Sequence, residues 1–159
     1  MDAGARPPKD SSEHGRRHIV VVMAVSDVTT MLSNLTVSRR PGQYCIVDVR
    51  DVASGAEPAA IVRESEGTTA VVLIEDVVGT EPEFVAAWLT LDVQSDLATV
   101  GLTAAVATCL ADEAIACNVL AGRLHDHILV AHRDAPRAIE ALKGLALRHS
   151  RRVNIAPTK

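Results

Sequence analysis

After a polar opening stretch, short β-rich runs alternate with segments in which apolar residues recur every three or four positions. "IVVVMAV" (residues 19–25) is continuous and β-branched, which suits a strand or a buried helical segment. "SDVTTMLSNL" places Val28, Met31, Leu32 and Leu35 on one helical face, with Ser26 or Asp27 in the N-cap position. "RRPGQ" breaks that helix. "YCIVDV" then reads as a strand, and "AAIVRESEGTTAVVLIED" as two strands around a turn near Glu66 and Gly67. "DVVGTEPEF", with its Gly and Pro, joins this half to the next.

The second half is more regular. In "AAWLTLDV", Trp88, Thr90 and Asp92 alternate with Leu89, Leu91 and Val93, the period of a strand. Past the polar loop "QSDLATVG", Leu102, Ala105, Val106, Cys109 and Leu110 form one helical stripe that has to be buried. "IACNVLAG" and "HILVA" read as two strands with a tight polar connection. "DAPRAIEALKGLALRHS" starts with Asp134 and Pro136, both favourable at a helix start, and carries the stripe Ala135, Ile139, Leu142, Ala146. "RVNIA" is expected to be a last strand.

That order, βαββαβ, is the ferredoxin-like split βαβ. The predicted class is α+β, with two such units side by side and antiparallel sheets covered by helices on one face. The first half is the degenerate copy. Edge-to-edge pairing of the two sheets would hide exposed strand edges. Residues 1–18 are expected to be a disordered lead-in, 19–84 the degenerate unit and 85–156 the regular one.

With 159 residues the chain can bury a core without staples. A net charge of −4 and a single Trp, Tyr and Phe make nucleic acid an unpromising partner, since phosphate contacts and stacking platforms are both scarce. Cys45, Cys109 and Cys117 are odd in number and lack CxxC spacing, which suits a reduced, cytoplasmic setting. The opening segment lacks the apolar run of a signal peptide, and no apolar stretch approaches the roughly 20 residues of a membrane span. No cofactor fingerprint, phosphate loop, nucleophile elbow or H-E-x-x-H motif is found.

The polar exception is "GRLHDHILV". His125 and His127, at i and i+2 on a strand, point to one face and would bind zinc only with a further ligand such as His132 or a Cys. A pair of histidines satisfied by backbone and solvent is the simpler reading. Asp126 suits a turn, and Asn118, in a strand expected to be buried, needs a hydrogen-bond partner. Arg39 and Arg40, next to Pro41, discourage edge pairing or draw an anionic ligand.

The stretch "WLTLDVQSDLATVGLTAAVATCLADEAIACNVLAGRLHDHILV" closely resembles small tandem ACT-domain proteins related to the regulatory region of aspartate kinase, among them the arginine sensors of animals. The cues are the loop with Asp96 and Gly101, "GLTAAV", "AIACNVLAG" and "HDHILV". "MLSNLTVSRRPGQYCIVDV" with "AAIVRESEGTTAVVL" resembles the N-terminal portion of that family, so the resemblance covers about residues 24–150. It implies a regulatory module that binds a small molecule, usually an amino acid, at the seam between ACT units; a homodimer paired through an exposed sheet edge is expected from the architecture. By the same resemblance Asp96 and Gly101 occupy the ligand loop. Leu102 and Thr103 open the helix whose free N–H groups would receive a carboxylate. Asn118, with Val119 beside it, matches the polar strand position after that helix, and Asp126 matches the acidic ligand contact of the arginine sensors. The loop is longer than the usual D-x-P-G and lacks its proline. Three functions are therefore expected in order: a non-enzymatic amino-acid-binding regulator, a ligand-free dimerisation or partner-binding module, and a metal-dependent enzyme built on His125, His127 and His132.

Overall fold

The computed structural model describes residues 28–93 and 99–155. The strand expected at 19–25, the caps Ser26 and Asp27, the lead-in segment and Asp96 lie outside the described residues. The element order is α1 (Val28–Ser33), β1 (Val37–Arg39), β2 (Tyr44–Asp48), β3 (Ala60–Arg63), β4 (Thr68–Leu73), β5 (Val85–Leu91), α2 (Leu102–Asp112), β6 (Cys117–Ala121), β7 (Asp126–Ala131) and α3 (Ala135–Ile155).

Among the described residues seven strands form one antiparallel sheet in the order β3-β4-β2-β5-β7-β6, with β1 also paired to β5. β7 covers one edge of β5 from Ala86↔Ala131 to Thr90↔His127. The other edge is shared: β2 pairs at Tyr44↔Ala86 and Cys45↔Val85, and β1 at Val37↔Leu91 through Arg39↔Leu89. Both edges of β5 are therefore occupied, and the sheet passes without a break from one half of the chain to the other.

α1, α2 and α3 lie on one face. Met31 and Leu32 of α1, Leu102, Val106, Cys109 and Leu110 of α2, and Ala135, Ala138, Leu142 and Leu145 of α3 form one core with Ala87, Leu89, Leu91, Ile128 and Val130 of the sheet. Most residues of the expected stripes are buried, with Val28, Ala105 and Ile139 half-buried against the core and Ala138 and Leu145 added to it, and the β5 alternation places Leu89 and Leu91 under the helices as expected.

The last expected strand is corrected. α3 continues as helix to Ile155 instead of yielding to a strand at "RVNIA". In a split βαβ that strand would have paired beside β5. The place is filled by β1, whose Val37 and Ser38 carry no strand pattern in the sequence and whose Arg39 opens the helix breaker "RRPGQ". Two backbone bonds extend its ladder, Arg40 N–H to Trp88 O at 2.9 Å and Asp92 N–H to Thr36 O at 2.8 Å.

Candidate functional site

α2 begins at a backbone feature that only glycine adopts comfortably. Gly101 has φ +104°, and a Cβ there would also contact Val28 at 3.6 Å. Among the described residues no side chain caps this helix start, and its first turn carries no acidic residue. The first N–H groups thus keep their partial positive charge. Leu102 is buried and anchors the turn in the core, while Thr103 is exposed.

The β6–β7 connection lies at the end of the sheet where β5 finishes. Gly122 N–H donates to His125 O at 3.0 Å, and a Cβ on Gly122 would come within 2.6 Å of that same carbonyl oxygen. His125 Nδ1 is 3.3 Å from Val93 O, which ties the turn to the strand that leads into α2. Asp126, half-buried, pairs with Ala121 and shares the helix-bearing face with Ile128.

Asn118 is placed differently from expectation. β6 is an edge strand, so Asn118 is exposed and needs no buried partner; opposite Leu129, it lies on the helix-free face, away from Asp126. Val119 lies on the helix-bearing face and is exposed. The helix-start residues Gly101, Leu102 and Thr103 are consecutive by sequence, whereas Asn118 and Asp126 are separated by the sheet.

The two histidines do not act as a pair. β7 starts at Asp126, leaving His125 in the turn. The His127 ring packs 5.1 Å from Trp88 and its Nδ1 is 3.1 Å from Thr90 Oγ1. Burial, helped by the neighbouring His125, holds its pKa below the ordinary 6.5. His132 sits against Arg39. Among the described residues no three His, Cys, Asp or Glu side chains gather as a metal site would require.

The sequence reading missed an aromatic seam. The chain's single Trp, Tyr and Phe all meet on the helix-free face, where Tyr44 and Trp88 are buried with Val71, Ala86 and Leu129, and Phe84 packs against them. Tyr44 and Trp88 lie 5.4 Å apart, and the Arg40 guanidinium covers both at 5.6 and 5.2 Å. Because Tyr44 comes from β2 and Trp88 from β5, this row bridges the two halves. The Trp88 alternation was the available signal; its partners on another strand were not readable locally.

A single antiparallel sheet with helices on one face, joined from two halves, is the architecture of paired ferredoxin-like units. The chain belongs to the ACT-domain family. Residues 83–144 match one ACT domain and residues 23–81 match a second, so the two stand in tandem. A Vibrio cholerae protein of unknown function, described as a possible transport protein, is 37% identical over 75% of this chain and 95% of that one, with a TM-score of 0.66. The fold is shared with aspartokinase alpha and beta subunits (14% identity, TM-score 0.50, 69% of this chain and 96% of that one). It is also shared with the aspartate kinase of Clostridium acetobutylicum (11% identity, TM-score 0.53), of which the match covers 34% and 69% of this chain. No curated protein sequence matches the chain. Among the described residues no helix is long and apolar enough to cross a membrane.

Proposed function

We propose that this chain is a non-enzymatic regulatory module whose tandem ACT units bind an amino acid at their seam, in a cytoplasmic setting. The observation that carries the proposal is the start of α2 behind Gly101, which among the described residues has no side-chain cap and no acid in its first turn to compete for the N–H groups. A ligand α-carboxylate accepts from the first N–H groups of that helix, at Leu102 and Thr103, and Asp126 with Asp96 receives the ammonium group. Val28 against Gly101 brings the first half of the chain to the same place. Val119, exposed on the helix-bearing face of edge strand β6, reaches a ligand through a second copy paired along that edge, which makes a homodimer part of the proposal, while Asn118 on the other face takes no part in it. Binding regulates only to the extent that the ligand prefers one packing of the units over another.

Thermal unfolding of the full chain against each of the twenty amino acids tests this. A ligand at 100 times its Kd adds about 2.7 kcal/mol, and Asp126→Asn should reduce that gain. Flat melting curves with all twenty overturn the proposal. The runner-up, a ligand-free pairing module, is favoured by the exposed apolar residues Ile61 and Val62 on edge strand β3 and Val119 on β6. Flat curves together with a concentration-dependent dimer in sedimentation would select it.

A further inference from the structure

Where β5 begins and β7 ends, away from the α2 start, Glu83, Phe84, Val85, Ala131, His132 and Arg133 line a cavity of about 390 Å³. This lies within the range of small-molecule sites, about 300–1,000 Å³. The cavity sits where the two ACT matches meet, since one ends at residue 81 and the other starts at residue 83.

Its wall has three chemical parts. Phe84, Val85 and Ala131 are half-buried and apolar. Glu83 is an exposed carboxylate with no cation within 4 Å among the described residues. Arg133 and His132 are the basic part. Arg133 is 89% exposed and only 3.7 Å from Asp134, a loose ion pair that leaves most of its donors available. His132 is met by Arg39 from the first ACT region, whose Nη2 is 3.2 Å from both ring nitrogens. A guanidinium nitrogen equally distant from both ring nitrogens lies over the face of the imidazole and not along either in-plane lone pair, so the ring N–H stays free to donate elsewhere. Among the described residues Arg39 itself has no carboxylate within 4 Å. Arg133 and an imidazole N–H thus line the cavity with Arg39 behind the ring, while Asp134 only loosely engages Arg133 and Glu83 stands on the wall as a separate carboxylate.

We infer that this cavity is a second ligand site, for a small α-amino acid with an apolar side chain. Arg133 and the His132 N–H take the carboxylate, with Arg39 behind the imidazole adding positive charge and fixing its ring. Glu83 takes the ammonium, and Phe84, Val85 and Ala131 receive the side chain. The inference rests on the reading of the chain as an amino-acid sensor, but it uses none of the residues at the α2 start, so the two fail separately.

Calorimetric titration of the full chain with L-leucine, its methyl ester and 4-methylpentanoate tests it, because the ester lacks the anionic carboxylate and the acid lacks the ammonium. Leucine is expected to bind most tightly, with each analogue about tenfold or more weaker, the loss typical of one charge-assisted contact. Glu83→Gln should weaken leucine about tenfold and leave 4-methylpentanoate unchanged, whereas Arg133→Gln should weaken both. Both side chains are exposed, and unchanged melting of the two variants without ligand verifies their folding. Leucine affinity unaltered in Glu83→Gln and Arg133→Gln but reduced in Asp126→Asn would overturn this site while leaving the sensor reading intact. Absence of leucine binding to the unaltered chain overturns the site as well.

Discussion

His127 illustrates how position changes what a residue can do. In the sequence it is half of a histidine pair; in the fold its ring lies beside Trp88 and Thr90, while His125 faces the Val93 carbonyl. Its pKa is held below 6.5, chiefly by burial. The unfolded chain therefore binds a proton that the folded chain resists, so this contribution is complete above the unfolded pKa and is lost as pH falls through the folded one. Melting temperature should be level above about pH 6.5 and decline below it, and His127→Gln should remove most of that decline. An unchanged slope in the variant would refute the assignment. The window is separate from that of Asp48, whose carboxyl the Arg50 guanidinium holds at about 2, so its loss comes only in stronger acid. The strand period was enough to place Trp88 opposite Leu89. It was silent about Tyr44 and Arg40, because stacking between strands distant in sequence leaves no local pattern.

At the scale of elements, the helical stripes were the most legible features, because burying one face requires the 3.6-residue repeat that α1, α2 and α3 all show. Stability of α1 is a different matter. Its six residues are far fewer than the roughly 12 an isolated helix needs, so packing holds it. Met31 and Leu32 are 1% and 2% exposed in the shared core, and Ser150 Oγ of α3 donates to Ser33 O at 2.8 Å. Met31→Ala is expected to cost about 2–5 kcal/mol in urea unfolding, more than its place in a marginal helix suggests. A loss below about 0.5 kcal/mol, the usual surface value, would show that α1 is peripheral. The end of α3 was misread for a physical reason: "RVNIA" is β-branched enough for a strand, but the edge of β5 it would have joined is held by β1. Strand propensity has no outlet when the ladder is already occupied.

For the whole molecule, tandem ACT regions that share one sheet imply that neither half is self-sufficient. A fragment of residues 83–159 lacks both β1 and β2 against β5, and it exposes the core surface under Met31 and Leu32. It should show no cooperative unfolding by circular dichroism, and co-expression with residues 1–82 should restore it; independent cooperative melting of the fragment would contradict the shared-sheet account. The sequence by itself determined the α+β class, the helix faces, most of the strands and the ACT relationship, because periodicity and local motifs are properties of neighbouring residues. The resemblance pointed to Gly101, but its left-handed backbone at the start of α2 came from the structure. Only the tertiary structure decided that β1 completes the second unit, that Asn118 and Asp126 lie on opposite faces, and that Arg39 meets His132 beside a cavity at the junction. Those are relations between segments far apart in the chain, fixed by which strand edges are free and which surfaces must be buried together.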